Sequence, residues 1–365
     1  MGVIVDNKMF SLSEWYQKIG AGVTDEFRVE DNTKHDRLEA LYQETGLIYD
    51  RPDRWQAIAV KERRPEFLEY LEKNKNRLCA FRLLPLDINS PKLRQRGKTV
   101  AETLSWFDEQ EIDFEKYNLD IVPHNEVTLW SGILIVTEKG VMGELTPDAL
   151  NSLSFGYSKV PTFVFKYDFN NWQFADNRLE IKEVQSVIER ALTSLKITDL
   201  AKQDILKNKI KVKFFKDYLL GYFEFIVGQD NGLFFADFNR LLPDLLKLED
   251  FSVINNESLN LNGVCAYSGH VQGVVVKIAP EEIGIKEFPE KSILVCKNTM
   301  PEYLPLMEKA SAIITDQGGI LSHAAIISRE LKIPCLVGTK IATQVFNDGD
   351  ELLLDTDKGI ITKIN

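Results

Sequence analysis

Short apolar runs alternate with amphipathic stretches along this chain, and the texture changes twice. Residues 1 to about 75 are mixed and charged, with helical stretches such as RRPEFLEYLEKNKNRL. From Cys79 onward, short apolar runs read as strands: LCAFRLLPL, VTLWSGILIVT, TFVFKYDF, GYFEFIV and GLFFADF. Amphipathic helices lie between them. In residues 180–195, Val184, Val187, Ile188 and Leu192 recur at helical spacing and predict a single apolar stripe. Residues 246–263 are polar, lack a sustained period, and read as a connector. Beyond them GVVVKIA, SILVCK, SAIITD, CLVG and ELLLDT predict strands mixed with helices, an α/β texture in a stretch long enough to be a domain.

Composition narrows the class. At 365 residues the chain fits two domains, three at most. Its 44% hydrophobic and 27% charged residues are those of a globular protein. A net charge of -11 argues against nucleic acid or an anionic membrane as partner, because phosphate surfaces favour a basic face. It leaves room for a small phosphate pocket, which needs only local donors. No apolar run approaches the roughly 18 residues of a membrane helix. The start, MGVIVDNKMFSLSEWYQ, has no basic region leading into an apolar core, so a cytoplasmic location is expected. Gly2 opens a myristoylation pattern that Asp6 breaks. Cys79, Cys265, Cys296 and Cys335 are widely spaced, with no CxxC pair, and read as core thiols in a reducing compartment.

The chain has four histidines: His35, His124, His270 and His323. His323 lies in GGILSHAAIISRELKIPC, where Ser322 predicts a helix N-cap, Ala324, Ile327 and Leu331 share one face, and Pro334 marks the exit. His323 is therefore the first helical residue. The positive end of the helix dipole disfavours imidazolium there and keeps the ring nucleophilic. The amides of that first turn favour a phosphate. Gly318 and Gly319 permit close backbone approach. On this local chemistry alone, a histidine capping a surface helix is an equally good reading.

A second constellation lies in GYFEFIVGQDNGLFFADFNRLLP. Asn231-Gly232 signals a hairpin turn. Asp237 and Asn239 are two apart on a strand and so share a face, with Glu224 expected across the hairpin. Such hard oxygen ligands suit Mg²⁺. By composition alone a half-solvated hairpin is the better reading.

The C-terminal stretch from GVCAYSGHVQGVVVKI onward closely resembles the swivelling phosphohistidine domain of phosphoenolpyruvate synthase, pyruvate phosphate dikinase and rifampin phosphotransferase. T-x-P, T-D-x-G-G, S-H-A-A-I, R-E-L-x-I-P, V-G-T and a D-G-D turn occur in order. The resemblance implies that His323 carries phosphate between two sites on a mobile β/β/α domain. It groups Ser322, Gly318, Gly319 and Arg329 with it, and it implies that Thr315 supports the histidine loop. His270 lies where that family has small residues and reads as incidental. The hairpin is similar to the final strands of ATP-grasp enzymes, which implies Mg²⁺ ligands at Glu224, Asp237 and Asn239, followed by the basic Arg240. WSGILIVTEKGVMGELTPDALNSLSFG looks like the dikinases' Ser-Gly strand and Thr-Pro-Asp, with Glu144 as the acid for nucleotide or metal. CAFRLLPLDINSPKLRQRGKT resembles, more loosely, the segment supplying phosphate-binding arginine, with Arg82, Arg94 and Arg96 as candidates. The dikinases' opening Gly-x-Lys-x-x-x-Leu and their Arg-Ser-Ser are not found, and their pyruvate-binding barrel has no room.

The expected architecture is therefore α/β and α+β: an ATP-grasp-like N-terminal domain over residues 1–250, in which 1–75 is either integral or a separate subdomain, a 251–257 linker, and a swivelling β/β/α phosphohistidine domain over 258–365. The expected activity is ATP- and Mg²⁺-dependent phosphotransfer of dikinase type through His323 to a small-molecule acceptor. The alternative is a phosphocarrier or regulatory subunit, loaded by a separate kinase or by phosphoenolpyruvate, with an inert N-terminal domain. Partners are then an acceptor molecule and, in the second reading, a separate kinase or acceptor subunit; no nucleic acid or membrane is expected.

Overall fold

The structure, a computed structural model, describes residues 25–87, 90–124, 127–147, 162–175, 180–229, 232–245, 252–256, 261–320, 322–358 and 360–364. Among these residues the fold is mixed α/β, built on three substantial sheets. The first holds β1 (Asp53–Gln56), β2 (Leu78–Pro85), β3 (Leu93–Thr99) and β4 (Tyr117–Pro123), in the order β1-β4-β2-β3, all antiparallel. Helices Pro65–Asn74 and Val100–Asp108 accompany this sheet. Its core gathers Phe67, Phe81, Leu83, Phe107 and Leu119. Thr99 opens the second helix with a capping box: its hydroxyl accepts from the Glu102 amide while the Glu102 carboxylate accepts from the Thr99 amide.

The central sheet is formed by β5 (Thr128–Thr137), β6 (Gly140–Thr146), β7 (Phe163–Tyr167) and β8 (Trp172–Phe174), followed, after the small ribbon β9 (Phe214–Phe215) and β10 (Tyr218–Leu219), by β11 (Gly221–Gly228) and β12 (Gly232–Asn239). Its order is β12-β11-β5-β6-β7-β8. Strict alternation gives it two apolar faces. Leu134, Val136, Val141, Leu145, Phe223 and Phe225 face one core, with helices Lys34–Thr45, Ile181–Ser194 and Leu200–Ile210 contributing Leu38, Ile188 and Leu206. Ile133, Ile135, Met142, Val164 and Tyr222 face a second core. The predicted stripe of Val184, Val187, Ile188 and Leu192 is buried as expected.

That second core is shared with the C-terminal unit, through Ile313, Ile320, Ala324 and Ile327. This unit is an eight-stranded sheet of β13 (Ser252–Asn256), β14 (Leu261–Tyr267), β15 (His270–Lys277), β16 (Ile293–Cys296), β17 (Ala312–Thr315), β18 (Cys335–Val337), β19 (Glu351–Asp355) and β20 (Ile360–Lys363). The order is β13-β14-β18-β17-β16-β15-β19-β20, parallel from β18 to β15 and antiparallel outside. Helix His323–Leu331 lies in the crossover between the parallel strands β17 and β18.

One expectation changes here. The stretch 246–263 reads as a connector, yet Ser252–Asn256 is an edge strand paired residue for residue with β14. A short polar edge strand has the composition of a linker, because its order comes from a neighbour's backbone. The Asn231 half of the predicted hairpin turn lies outside the described residues; Gly232 is at φ +65° and opens β12.

Candidate functional site

The histidine loop is built almost wholly by backbone. Thr315 ends β17. Its hydroxyl donates to the Gln317 carbonyl at 2.7 Å, and its own carbonyl accepts from the Thr339 amide at 3.0 Å and the Thr339 hydroxyl at 2.9 Å. The Asp316 and Gln317 amides donate to the Cys296 and Lys297 carbonyls. Gly318 is at φ +108°, a conformation that L side chains rarely adopt, and a Cβ there would lie 2.7 Å from Ser322 Oγ. Ser322 Oγ then accepts from the Ala325 amide, the N-cap that the sequence predicts, and the helix begins at His323.

His323 is 8% exposed. Burial lowers its pKa to about 3, so the imidazole is neutral at physiological pH. Nδ1 lies 2.6 Å from the Thr299 hydroxyl. Thr299 is absent from the expected set, although the T-x-P motif around it was the available signal. Arg329 is buried and donates from Nε to the Ala266 carbonyl at 3.0 Å and from Nη1 to the Ile320 carbonyl at 2.7 Å. The guanidinium therefore staples the loop to β14. Its position is as expected, but its contacts are with the backbone of the loop rather than with His323.

The second set of candidates meets in a charged cleft of the N-terminal region. Glu224 and Asp237 are directly opposite on β11 and β12, as expected. Lys34 Nζ is 2.6 Å from Asp237 Oδ2. The Tyr222 hydroxyl donates to Glu224 at 2.6 Å. Burial, and then the charge of Asp237, push the Glu224 carboxyl up, against the pull of Lys34 and Arg96. Arg82 and Arg94 are paired across β2 and β3, and Arg96 follows two residues on. Burial, then the two neighbouring guanidiniums, lower Arg96 to about 10, with Glu224 and Asp50 opposing. Arg82 is held by a neutral acceptor: its Nη1 is 3.0 Å from His35 Nε2, and His35 Nδ1 is 3.1 Å from Asp120. Burial lowers His35, and Asp120, fully buried, is gripped by Arg54 at 2.7 and 3.0 Å.

Three expected residues have partners within the fold. Arg240 donates from its backbone amide and its guanidinium to Glu30, which is 1% exposed, and from Nη1 to the Ile210 carbonyl at 2.6 Å. It anchors an ion pair with the buried Glu30. Asn239 uses its side-chain oxygen to accept from the Leu241 and Leu242 amides, both at 2.9 Å. Both lone pairs of a carbonyl oxygen are thereby taken, so it caps the chain after β12 and offers a metal nothing on that atom. Glu144 meets the histidine loop, where its carboxylate accepts from the Ile320 amide. Lys34, Asp50 and His35 were missed. Lys34 precedes Leu38 by four, as in the dikinases' Lys-x-x-x-Leu, but the glycine two residues earlier is Asn32. His270 is exposed, 3.4 Å from Asp355 and 3.6 Å from Asp357.

Register relates the two constellations. Asp237 pairs with Glu224, Glu224 with Ile133, and Ile133 with Glu144. Directly paired residues share a face. Asp237, Glu224, Ile133 and Glu144 therefore form one row across the central sheet, with the histidine loop resting on its Glu144 end. At about 4.8 Å per strand, Glu144 lies about 10 Å from Glu224 along the row.

Residues 288–359 match the family described as PEP-utilising enzyme, mobile domain. The C-terminal region is thus similar to that mobile-domain family. The chain is 43% identical across 119 residues to a probable phosphoenolpyruvate synthase of Staphylothermus marinus, covering 32% of this chain and 14% of that protein. It is 46% identical across 101 residues to the corresponding protein of Archaeoglobus fulgidus, covering 28% and 13%. It is 44% identical across 110 residues to an uncharacterised phosphotransferase of Bacillus subtilis, covering 30% and 13%. The matches thus span about a seventh of the length of these relatives. Among solved structures, the macrocyclase MdnC of Microcystis aeruginosa aligns with 57% of this chain and 53% of its own, at 14% identity and TM-score 0.28. A peptide-associated ATP-grasp ligase of Chryseobacterium gregarium aligns with 57% and 52%, at 11% identity and TM-score 0.29. At such scores these overlays carry no argument. Among the described residues no helix is long and apolar enough to cross a membrane.

Proposed function

We propose that this protein is a phosphotransferase in which His323 of the mobile domain takes phosphate from ATP held over the central sheet, and then swings to deliver it to a small-molecule acceptor. The observation that carries this reading is the cross-strand row: the histidine loop rests at Glu144, on the same face as Glu224 and Asp237. An ATP-grasp-like N-terminal domain, two domains divided near residues 251–257, and the dikinase course of reaction belong to this proposal.

The roles follow from the donors present. Arg82, Arg94 and Arg96 form a dense cationic set that suits a polyphosphate, since burial and mutual repulsion leave Arg96 short of anionic partners. Glu224 and Asp237 are hard oxygen donors on adjacent strands and would hold Mg²⁺, with Lys34 as the cation that occupies Asp237 otherwise. Bound there, Mg²⁺ would supply charge balance on the phosphates. His323 is neutral, and in the tautomer that carries its proton on Nδ1, toward the Thr299 hydroxyl, Nε2 keeps a lone pair for attack at phosphorus. A P–N bond forms as a P–O bond breaks. Resemblance to the dikinases implies that ATP and water go to AMP, phosphate and a phosphohistidine bearing the β-phosphate. The protein's contribution is position and electrostatics.

A phosphocarrier loaded from outside is the second reading. It is favoured by the closed ion pair of Lys34 with Asp237 and by the capping role of Asn239, which together leave a thin metal site. Incubation with Mg²⁺ and ATP labelled at the β or γ position separates the two. Acid-labile, alkali-stable label from the β position, absent in His323→Ala, is the expected result. Label from the γ position alone makes the protein a simpler kinase. No label from either, on folded protein, leaves the carrier.

A further inference from the structure

Glu144 is 1% exposed on β6, a strand buried along its whole length. A buried carboxylate is costly unless its oxygens are bonded. Here the donor is the Ile320 amide, 176 residues away and three residues before His323. The contact is close: a Cβ on Gly319 would fall onto the Glu144 carboxylate itself, so a side chain there must displace it. Gly319 is not in the left-handed region, so its own backbone does not demand glycine. Around this polar contact, Ile133, Met142, Val164 and Tyr222 of the central sheet share one core with Ile320, Ala324 and Ile327 of the C-terminal unit.

We infer that Glu144 and Gly319 form a docking seat, in which a carboxylate on the central sheet holds the histidine loop by its backbone. The interaction surface is internal to the chain, and Glu144 acts on His323 only by positioning its loop. A phosphoryl group on His323, three residues from Ile320, would add roughly -1.5 to -2 charge to a loop seated on a carboxylate, so the seat favours the unloaded loop. What the seat serves rests on the phosphotransfer reading above; the contact itself does not.

The test uses the full chain without ATP and reads hydrogen–deuterium exchange at the Ile320 amide. Glu144→Ala is expected to speed exchange at Ile320 at least tenfold. Gly319→Ala, from the other side of the contact, is expected to do the same. Glu144→Gln keeps an acceptor oxygen and is expected to change it less than threefold, whereas Glu144→Met, of similar size without an acceptor, is expected to behave as the alanine variant does, which a mere volume effect would not produce. Wild-type protection of Ile320 in both alanine variants overturns the inference, as does equal loss in Gln and Ala. Protection of β17 and β18 amides identifies folded protein, and the two alanine variants lie in different units, so misfolding of one leaves the other to decide. Failure of His323 to take label from ATP would not alter this result.

Discussion

The histidine loop and the charged cleft both bury polar groups, but they do so by opposite means. The loop is continuous in sequence, residues 315–329, and is held by glycines, an N-cap and backbone hydrogen bonds, with one arginine as staple. The cleft is assembled from Lys34, Asp50, Arg82, Arg96, Glu224 and Asp237, which come from six elements or loops. Its order is a balance of like and unlike charges in a low dielectric. A loop of the first kind has one required geometry. A cleft of the second kind tolerates exchange of partners, because each charge has several neighbours. Substitutions should therefore act sharply in the loop and in a graded way in the cleft.

The largest effect is expected from His323→Ala. Label transferred from ATP to the protein should fall at least a thousandfold, with the circular dichroism spectrum unchanged; partial labelling would mean that another residue accepts phosphate. Next is Arg329→Met, which leaves the Ala266 and Ile320 carbonyls without a buried donor. At about 1–3 kcal/mol for each unsatisfied group, a loss of about 3 kcal/mol in denaturant unfolding is expected. A loss under about 1 kcal/mol would show the loop to be as tolerant as the cleft. Asp237→Ala removes a proposed metal ligand and frees Lys34. Mg²⁺–ATP affinity by calorimetry is expected to weaken ten- to a hundredfold, about 1.4–2.7 kcal/mol. Unchanged affinity would move the weight to the carrier reading.

Acid titration gives a smaller, signed effect. The His323 pKa is about 3 folded, against 6.5 in an open chain. Between those values the unfolded state holds a proton that the folded state lacks, so stability falls as pH falls through this window. The slope from this group is at most about 1.4 kcal/mol per pH unit. His35, also lowered by burial, acts in the same direction. Urea unfolding at pH 6 and pH 5, wild type against His323→Asn, isolates the share of His323; parallel slopes would refute its burial as a neutral ring. The smallest effect is expected from Asn239→Ala. Losing a cap of two amides should cost about 1 kcal/mol of stability, with Mg²⁺–ATP affinity within twofold of wild type. A large loss of affinity would return Asn239 to the metal site.

Legibility followed the same division. The strands of the central sheet, the stripe on helix Ile181–Ser194 and the pairing of Glu224 with Asp237 are all periodic signals, and the structure keeps them. The partners of Arg240 and Asn239 within the fold were not legible, for a common reason. A basic residue or an amide next to a carboxylate looks alike in sequence whether it faces a ligand, a buried Glu30 or two backbone amides. Lys34 was missed because the glycine that makes its motif visible is Asn32 here. The edge strand Ser252–Asn256 was read as connector because its hydrogen bonds lie in β14.

Sequence by itself determined the histidine loop: the N-cap, the helix start at His323, the glycine pair and the thiols left as buried Cys79, Cys265, Cys296 and Cys335. Those features depend on interactions within a few residues, and local interactions are written locally. Only the tertiary structure decided that Glu144 meets Ile320, that Arg329 reaches Ala266, and that Lys34 meets Asp237. These pairs span between 63 and 203 residues of chain. No period or motif encodes such a distance, because it is set by how two sheets bury their apolar faces against each other.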